Sequence, residues 1–150
     1  MSTSENNGKV VLVVTGGREY AYPEVIADAL KVAGRKLGAT RENAVVVHGN
    51  ARGADRLAGA WAESVGVKTV AVPAQWKAEG SRAGFKRNVR IVKRALANVE
   101  RGDTVVVVAF PGGTGTDHMV RTCQDAGLRV FDGLKLAQPP ECEPHEAVDA

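Results

Sequence analysis

The chain has 150 residues, of which 44% are hydrophobic and 25% are charged, with a formal net charge of +3. This length is sufficient for one well-buried domain and too short for two sizeable ones, so we expect a single core. No apolar stretch approaches the roughly 20 residues that span a bilayer, and residues 1–8 lack the apolar segment of a signal peptide. We therefore expect a cytoplasmic protein with no membrane partner.

The cysteines and the basic residues limit the classes of partner. Cys123 and Cys142 have neither the number nor the spacing of a disulfide framework or a zinc site, so we expect reduced thiols. No metal-ligand cluster is visible in the sequence, and we expect neither a metal nor a cofactor. Basic side chains are concentrated in residues 77–94, where Glu79 is the only acid. This segment is either a solvated helix face or a surface that contacts an anionic partner.

Apolar β-branched runs alternate with helical patterns along the chain. In chain order, the patterns predict a strand at 9–15, a helix at 22–37, a strand at 44–48, a helix at 54–64, a strand at 68–72, a helix at 84–98, a strand at 104–109, a helix at 116–126 and a strand at 128–131. Such alternation with short connections is typical of α/β proteins. We predict a three-layer α/β/α sandwich with a mainly parallel sheet of about five strands.

The domain organisation follows from the same pattern. Residues 9–136 are predicted to form the domain, and residues 1–8 a flexible N-terminus. Residues 137–150 contain three prolines and several acids, which is typical of a disordered tail.

The most distinctive segment is Phe-Pro-Gly-Gly-Thr-Gly-Thr-Asp at 110–117, between the fourth predicted strand and the next helix. Free N–H groups at a helix start attract an anion, and glycines let that anion approach closely. We therefore predict a phosphate site made by Gly112, Gly113, Thr114, Gly115 and Thr116. For Thr116 the alternative is a role as the helix cap instead, which we prefer.

A second glycine pair follows the first predicted strand, in Thr-Gly-Gly-Arg-Glu-Tyr at 15–20. Gly16 and Gly17 are placed to bring backbone donors to a phosphate, and Arg18 adds a guanidinium group. The alternative is a turn that needs glycine, with Arg18 in solvent.

The second predicted strand ends in His-Gly-Asn-Ala-Arg-Gly-Ala-Asp-Arg at 48–56. Gly49, Arg52 and Gly53 are candidate ligand contacts at the helix start. Asp55 either accepts hydrogen bonds from a ribose or interacts with the helix dipole. His48 closes a buried strand, where we expect a structural role.

A longer connection, residues 73–84, contains Trp76 and is expected to cover the binding edge as a lid. Trp76 stacks on a single base, stacks on a strand of bases, or covers the sheet edge, and these three interpretations remain open. Ligands of open parallel sheets bind beyond the carboxyl ends of the strands, where the strand order reverses. The glycine loops and Trp76 are all predicted to lie there.

Four of these segments, in this order, resemble the YspA-type branch of the SLOG superfamily, which is named for the DNA-processing protein DprA/Smf and the plant Lonely Guy enzymes. The resemblance extends over about residues 10–132. Its motifs are Gly16-Gly17-Arg18, residues 49–56, Ala83-Gly84 with Arg87-Asn88, and residues 111–116. It implies a Rossmann-like fold, a nucleotide or nucleotide-derived ligand contacted by Arg87 and Asn88, and assembly into a dimer or a higher homo-oligomer.

The resemblance also defines two alternative functions. Lonely Guy enzymes hydrolyse the bond between base and ribose 5′-monophosphate with a glutamate at the position of Met119, and a thioether cannot exchange protons. Binding is therefore favoured over hydrolysis, and a hydrolase would need Arg87 with Asp117 as a substitute acid. The DNA-processing protein binds single-stranded DNA, which would here use Lys86, Arg87 and Arg90.

Overall fold

The computed structural model describes residues 8–138, which contain one parallel five-stranded sheet of order β3-β2-β1-β4-β5. All four strand pairs are parallel. The strands are β1 (Val10–Thr15), β2 (Ala44–His48), β3 (Lys68–Ala71), β4 (Thr104–Ala109) and β5 (Arg129–Asp132). The predicted α/β class and strand number are confirmed.

Helices cover both faces of this sheet. They are α1 (Pro23–Lys36), α2 (Ala54–Ser64), α3 (Trp76–Glu79), α4 (Ala83–Glu100), α5 (Thr114–Asp125) and α6 (Gly133–Ala137), with a 3-10 turn at Gly80–Arg82. Side chains of β1 alternate between two cores: Val10, Leu12 and Val14 pack with α1 and α2, whereas Val11 and Val13 pack with α4 and α5. The molecule is thus a Rossmann-like three-layer sandwich.

The helices differ from the predictions in three respects. Helix α5 begins at Thr114 with Gly113 as its N-cap, so the prediction that Thr116 caps the helix was wrong. The connection after β3 contains α3 and the 3-10 turn instead of an open loop. Helix α6 was not predicted; Asp132 caps it by accepting hydrogen bonds from the backbone N–H groups of Leu134 and Lys135.

The flexible N-terminus predicted at residues 1–8 and the disordered tail predicted at residues 137–150 lie almost entirely outside the described residues. Cys142 lies outside them as well. Within residues 8–138, no helix is long and apolar enough to cross a membrane. Cys123 is fully buried, and burial raises the pKa of its thiol to about 11, which keeps the thiol protonated near neutral pH.

Three loops meet where the strand order reverses, between β1 and β4. The N–H of Gly17 donates to the carbonyl of Pro111 at 2.8 Å, and the carbonyl of Gly17 accepts from the N–H of Ala54 at 3.2 Å. Gly53 lies against this crossing with φ +88°, and a Cβ there would collide with the carbonyl oxygens of Gly17 and Arg18. The crossing positions the loops after β1, β2 and β4 at one edge.

Replacement of Gly53 by Ala should therefore cost about 3 kcal/mol of unfolding free energy, because backbone strain and steric overlap add. Gly38→Ala is the matched control, since Gly38 also has positive φ (+74°) but open space around its Cβ position. That variant should lose only about 1 kcal/mol. Urea unfolding measures both, and equal losses would contradict the importance of the crossing.

Candidate functional site

A cleft of about 400 Å³ opens at the carboxyl edge of the sheet, next to the crossing. The loops after β1 and β4, the start of α2, and the segment from α3 to α4 form its walls. The cleft brings together most of the predicted ligand residues, which are Gly16, Gly17, Arg18, Gly49, Asp55, Trp76, Arg87, Asn88, Gly113, Thr114, Gly115 and Thr116.

Four predicted site residues lie outside the lining of this cleft. Arg52 is exposed and forms an ion pair with Glu19 at 2.8 Å. Gly53 and Gly112 both support the crossing, since a Cβ on Gly112 would lie 2.7 Å from the backbone nitrogen of Gly17. Asp117 is exposed in the first turn of α5. The two glycines therefore shape the loops, and Asp117 is displaced from the cleft.

The start of α5 forms one wall of the cleft. Its first hydrogen bond within the helix pattern runs from the N–H of Asp117 to the carbonyl of Gly113 at 2.9 Å. In the part of the chain that the structure describes, no side chain caps this helix. The preceding N–H groups, at Thr114, Gly115 and Thr116, therefore keep their capacity to donate to an anion, and the helix dipole favours negative charge there.

Arg87 is fixed in the cleft by two hydrogen bonds. Its Nη1 donates to the carbonyl of Gly49, and its Nε donates to Oδ1 of Asn88 at 3.0 Å. Gly49 must be glycine for this arrangement, since a Cβ there would collide with the guanidinium group. Burial lowers the pKa of Arg87, and the nearby Asp55 carboxylate opposes that shift. The guanidinium group is thus held in one orientation, and its Nη2 takes part in neither of these two hydrogen bonds.

Asn88 joins the two halves of the cleft. Its Nδ2 donates to the carbonyl of Gly115 at 3.2 Å and lies 3.1 Å from Nδ1 of His118. The His118 ring stacks on Phe85 with 4.2 Å between ring centroids. Because Asn88 also accepts from Arg87, its buried amide positions Arg87 relative to the start of α5.

Asp55 is almost completely buried at the start of α2, with only 6% of its surface exposed. Its Oδ2 accepts hydrogen bonds from the N–H groups of Gly49 (3.0 Å) and Ala51 (3.3 Å), so the carboxylate holds the loop after β2. Burial raises the pKa of Asp55 to about 6, although both hydrogen bonds and the charges of Arg87 and Arg18 lower it. Oδ1 is not used by these bonds and keeps its acceptor capacity.

Trp76 covers the cleft from the start of α3. Its ring is half exposed, and the guanidinium carbon of Arg18 lies 5.5 Å from the ring centroid, a cation–π distance. Arg18 and Trp76 thereby form a charged and aromatic margin of the cleft.

Sequence analysis did not assign Thr15, Ser81 or Phe85 to the ligand site, and all three also line the cleft. Phe85 directly follows Ala83-Gly84, so proximity to that motif was a usable signal, whereas Ser81 lies in the unpredicted 3-10 turn. His48 has the structural role that we expected: its Nδ1 accepts from the N–H of Asn50, and burial lowers its pKa. Residues 8–138 contain no cluster of His, Cys, Asp or Glu suited to a metal.

The raised pKa of Asp55 predicts a pH-dependent stability. The carboxyl group titrates at about 6 in the folded protein and at its ordinary value of 3.8 when unfolded. Protonated Asp55 therefore stabilises the fold below pH 3.8, and this contribution is lost as the pH rises through 6. The loss is on the order of 3 kcal/mol.

Urea unfolding of the parent and of Asp55→Asn across this pH range tests the prediction. The difference in unfolding free energy between them should fall as the pH rises, whereas Asp117→Asn should follow the parent because Asp117 is exposed. A difference between parent and Asp55→Asn that is independent of pH would contradict it.

Known proteins share these features of sequence and fold. The profile of the YspA, cpYpsA-related SLOG family matches residues 10–78. The Gene 61 protein of Mycobacterium phage D29 is 34% identical over 128 residues, which cover 81% of this chain and 94% of the phage protein. The structure of DNA processing protein A (DprA) from Streptococcus pneumoniae is similar with a TM-score of 0.43 and 17% identity. That likeness covers 88% of this chain, spans 61% of DprA and is limited to the fold. The profile match and the phage relative show that the chain belongs to the YspA, cpYpsA-related SLOG family.

Proposed function

We propose that this protein binds a nucleotide or nucleotide-derived ligand in the cleft and does not hydrolyse it. The observation that carries the proposal is the juxtaposition of an uncapped helix start with an immobilised guanidinium group. The N–H groups at the start of α5 and the side chain of Arg87 line the same cleft, linked through Asn88. Both attract an anion, and both are positioned before it arrives.

The phosphate of the ligand lies at the start of α5. Gly113 and Gly115 have open space around their Cβ positions, so an anion can approach the backbone there closely. Arg87 faces the same space and neutralises the charge. Thr114 and Thr116 add hydroxyl donors from the first turn.

The sugar and the base occupy the rest of the cleft. Oδ1 of Asp55 is free of the backbone hydrogen bonds that occupy Oδ2, and it accepts from a ribose hydroxyl. The half-exposed ring of Trp76 provides an apolar face for a base. Of the interpretations considered for Trp76, stacking on one base fits best, because the ring lies on a cleft sized for a small molecule.

The positions of the acids argue against hydrolysis of the Lonely Guy type. Met119 lines the cleft at the position of the glutamate in those enzymes, and Asp117 lies outside the lining. Among the described residues that line the cleft, Asp55 is the one with a carboxyl group, but its Oδ2 is committed to the loop after β2. A hydrolase would thus have to use Asp55, and the Asp117 mechanism loses its geometric basis.

Binding of single-stranded DNA has less support from the described residues. Of the basic residues assigned to that function, Arg87 is held by Gly49 and Asn88, and Arg90 pairs with Glu79 at 3.1 Å. Single-strand binders stack successive bases on several aromatic faces. The described cleft lining contains two aromatic side chains, Trp76 and Phe85, and one face of Phe85 is already stacked on His118.

Replacement of Gly113 tests the phosphate site without disturbing the fold. The position has open space and a negative φ of −105°, and Asp or Asn at an N-cap stabilises a helix by about 1 kcal/mol relative to poor capping residues. Gly113→Asp and Gly113→Asn should therefore both unfold at or above the parent temperature.

Only the charged variant should repel the ligand. By calorimetric titration with nucleoside 5′-monophosphates and 5′-diphosphates, Gly113→Asp should bind at least about tenfold more weakly than Gly113→Asn. If both variants bound the nucleotides as tightly as the parent does, the start of α5 would not hold the phosphate.

The second test separates binding from hydrolysis. Mass spectrometry of the protein incubated with the same nucleotides should find intact nucleotide retained and no free base. If free base is released, the protein is a hydrolase. If Asp55→Asn then released no free base while Asp117→Asn still did, Asp55 would be identified as the catalytic acid.

A further inference from the structure

A second hollow of about 380 Å³ adjoins the cleft on the side of the loop after β2. The two share Arg18, Gly49, Ala51, Trp76 and Arg87 as lining residues, so they form one continuous space. Arg87 and Gly49 lie at the junction, where the carbonyl of Gly49 accepts from Nη1 of Arg87. The proposed phosphate site lies on one side of this junction, and the second hollow lies on the other.

The charged side chains among the described residues that line the second hollow are all positive. Its lining contains the arginines Arg18, Arg52, Arg56 and Arg87, and among the described residues that line it there is no acid. Guanidinium groups converging on one space repel one another, and an anion between them removes that repulsion. The lining therefore favours a small, strongly negative group.

Arg52 and Arg56, which line this hollow but not the first cleft, retain hydrogen-bonding capacity. Arg56 donates from Nε to the carbonyl of Asn50 at 3.2 Å, a contact that orients the side chain and leaves both terminal nitrogens for another acceptor. Arg52 pairs with Glu19, but the two side chains are 66% and 89% exposed. An ion pair in solvent contributes little, so a phosphoryl group can compete for Arg52.

We propose that the second hollow holds a second phosphoryl group of the same ligand. The ligand class is then a nucleoside diphosphate or a derivative linked through a pyrophosphate, with the guanidinium group of Arg87 between the two phosphates. This inference rests on the proposed function, because it takes the first phosphate to lie at the start of α5.

A nucleic-acid backbone is the competing occupant of a basic hollow. It fits less well, because Trp76 is the one aromatic side chain among the described residues that line the second hollow, and it already serves the adjoining cleft. Several bases in succession would need more such faces.

The test compares 5′-monophosphates with 5′-diphosphates of the same base by calorimetric titration. The parent should prefer the diphosphate by about tenfold or more, the effect of a charge-assisted hydrogen bond. Arg52→Gln/Arg56→Gln should lose this preference while its affinity for the monophosphate changes by less than about threefold. Lys93→Gln/Arg94→Gln removes the same charge from exposed positions on α4 that line neither hollow, and it should keep the preference.

Other outcomes separate this inference from the proposed function. Persistence of the preference in Arg52→Gln/Arg56→Gln, or an equal weakening of both nucleotides, would overturn the second site and leave the first intact. A labelled single-stranded oligonucleotide that binds more tightly than the diphosphate, with a steep dependence on salt, would assign the hollow to nucleic acid and also overturn it. If no nucleotide binds the parent, the proposed function fails and the inference fails with it.

Discussion

The crossing at Gly17 is the constraint on which the carboxyl edge depends. The backbone N–H of Gly17 donates to the loop after β4, and its carbonyl accepts from the start of α2. Backbone hydrogen bonds therefore hold three loops together at a single residue. Close approach of backbones requires small residues, and the chain has Gly53 and Gly112 against Gly17. Because the strand order reverses between β1 and β4, this is also where an open parallel sheet leaves a crevice. The same glycines therefore support both the fold and the candidate site.

A network of buried polar groups also organises the carboxyl edge. Asp55 holds the loop after β2, the carbonyl of Gly49 in that loop holds Arg87, and Asn88 connects Arg87 to the start of α5. Each group is partly deprived of water, which shifts the pKa of Asp55 upward and that of Arg87 downward. Each contact restricts the orientation of the next group, so the network positions Arg87 and the loop after β2 before any ligand arrives.

The sequence predicted the parts of the fold that depend on local pattern. The apolar runs of β1 and β4 and the amphipathic α1 are visible from periodicity, and the glycine motifs lie at strand ends because parallel strands end at one edge. Short elements such as α3 and α6 were missed, since their few residues carry little periodicity. The link from Arg87 to Gly49 and the link from Asn88 to Gly115 join segments 38 and 27 residues apart in the chain, so no local pattern encodes them.

The glycine at the start of α5 has a consequence for the evolution and engineering of this chain. Position 113 lacks the side chain that most helices use as a cap, and a search for stabilising substitutions would select Ser, Asn or Asp there. Such a variant would gain melting temperature by filling, with its own side chain, the donors that otherwise remain open. Thermal stability alone is therefore a misleading criterion for improving this protein, because the helix start that such substitutions would cap faces the cleft.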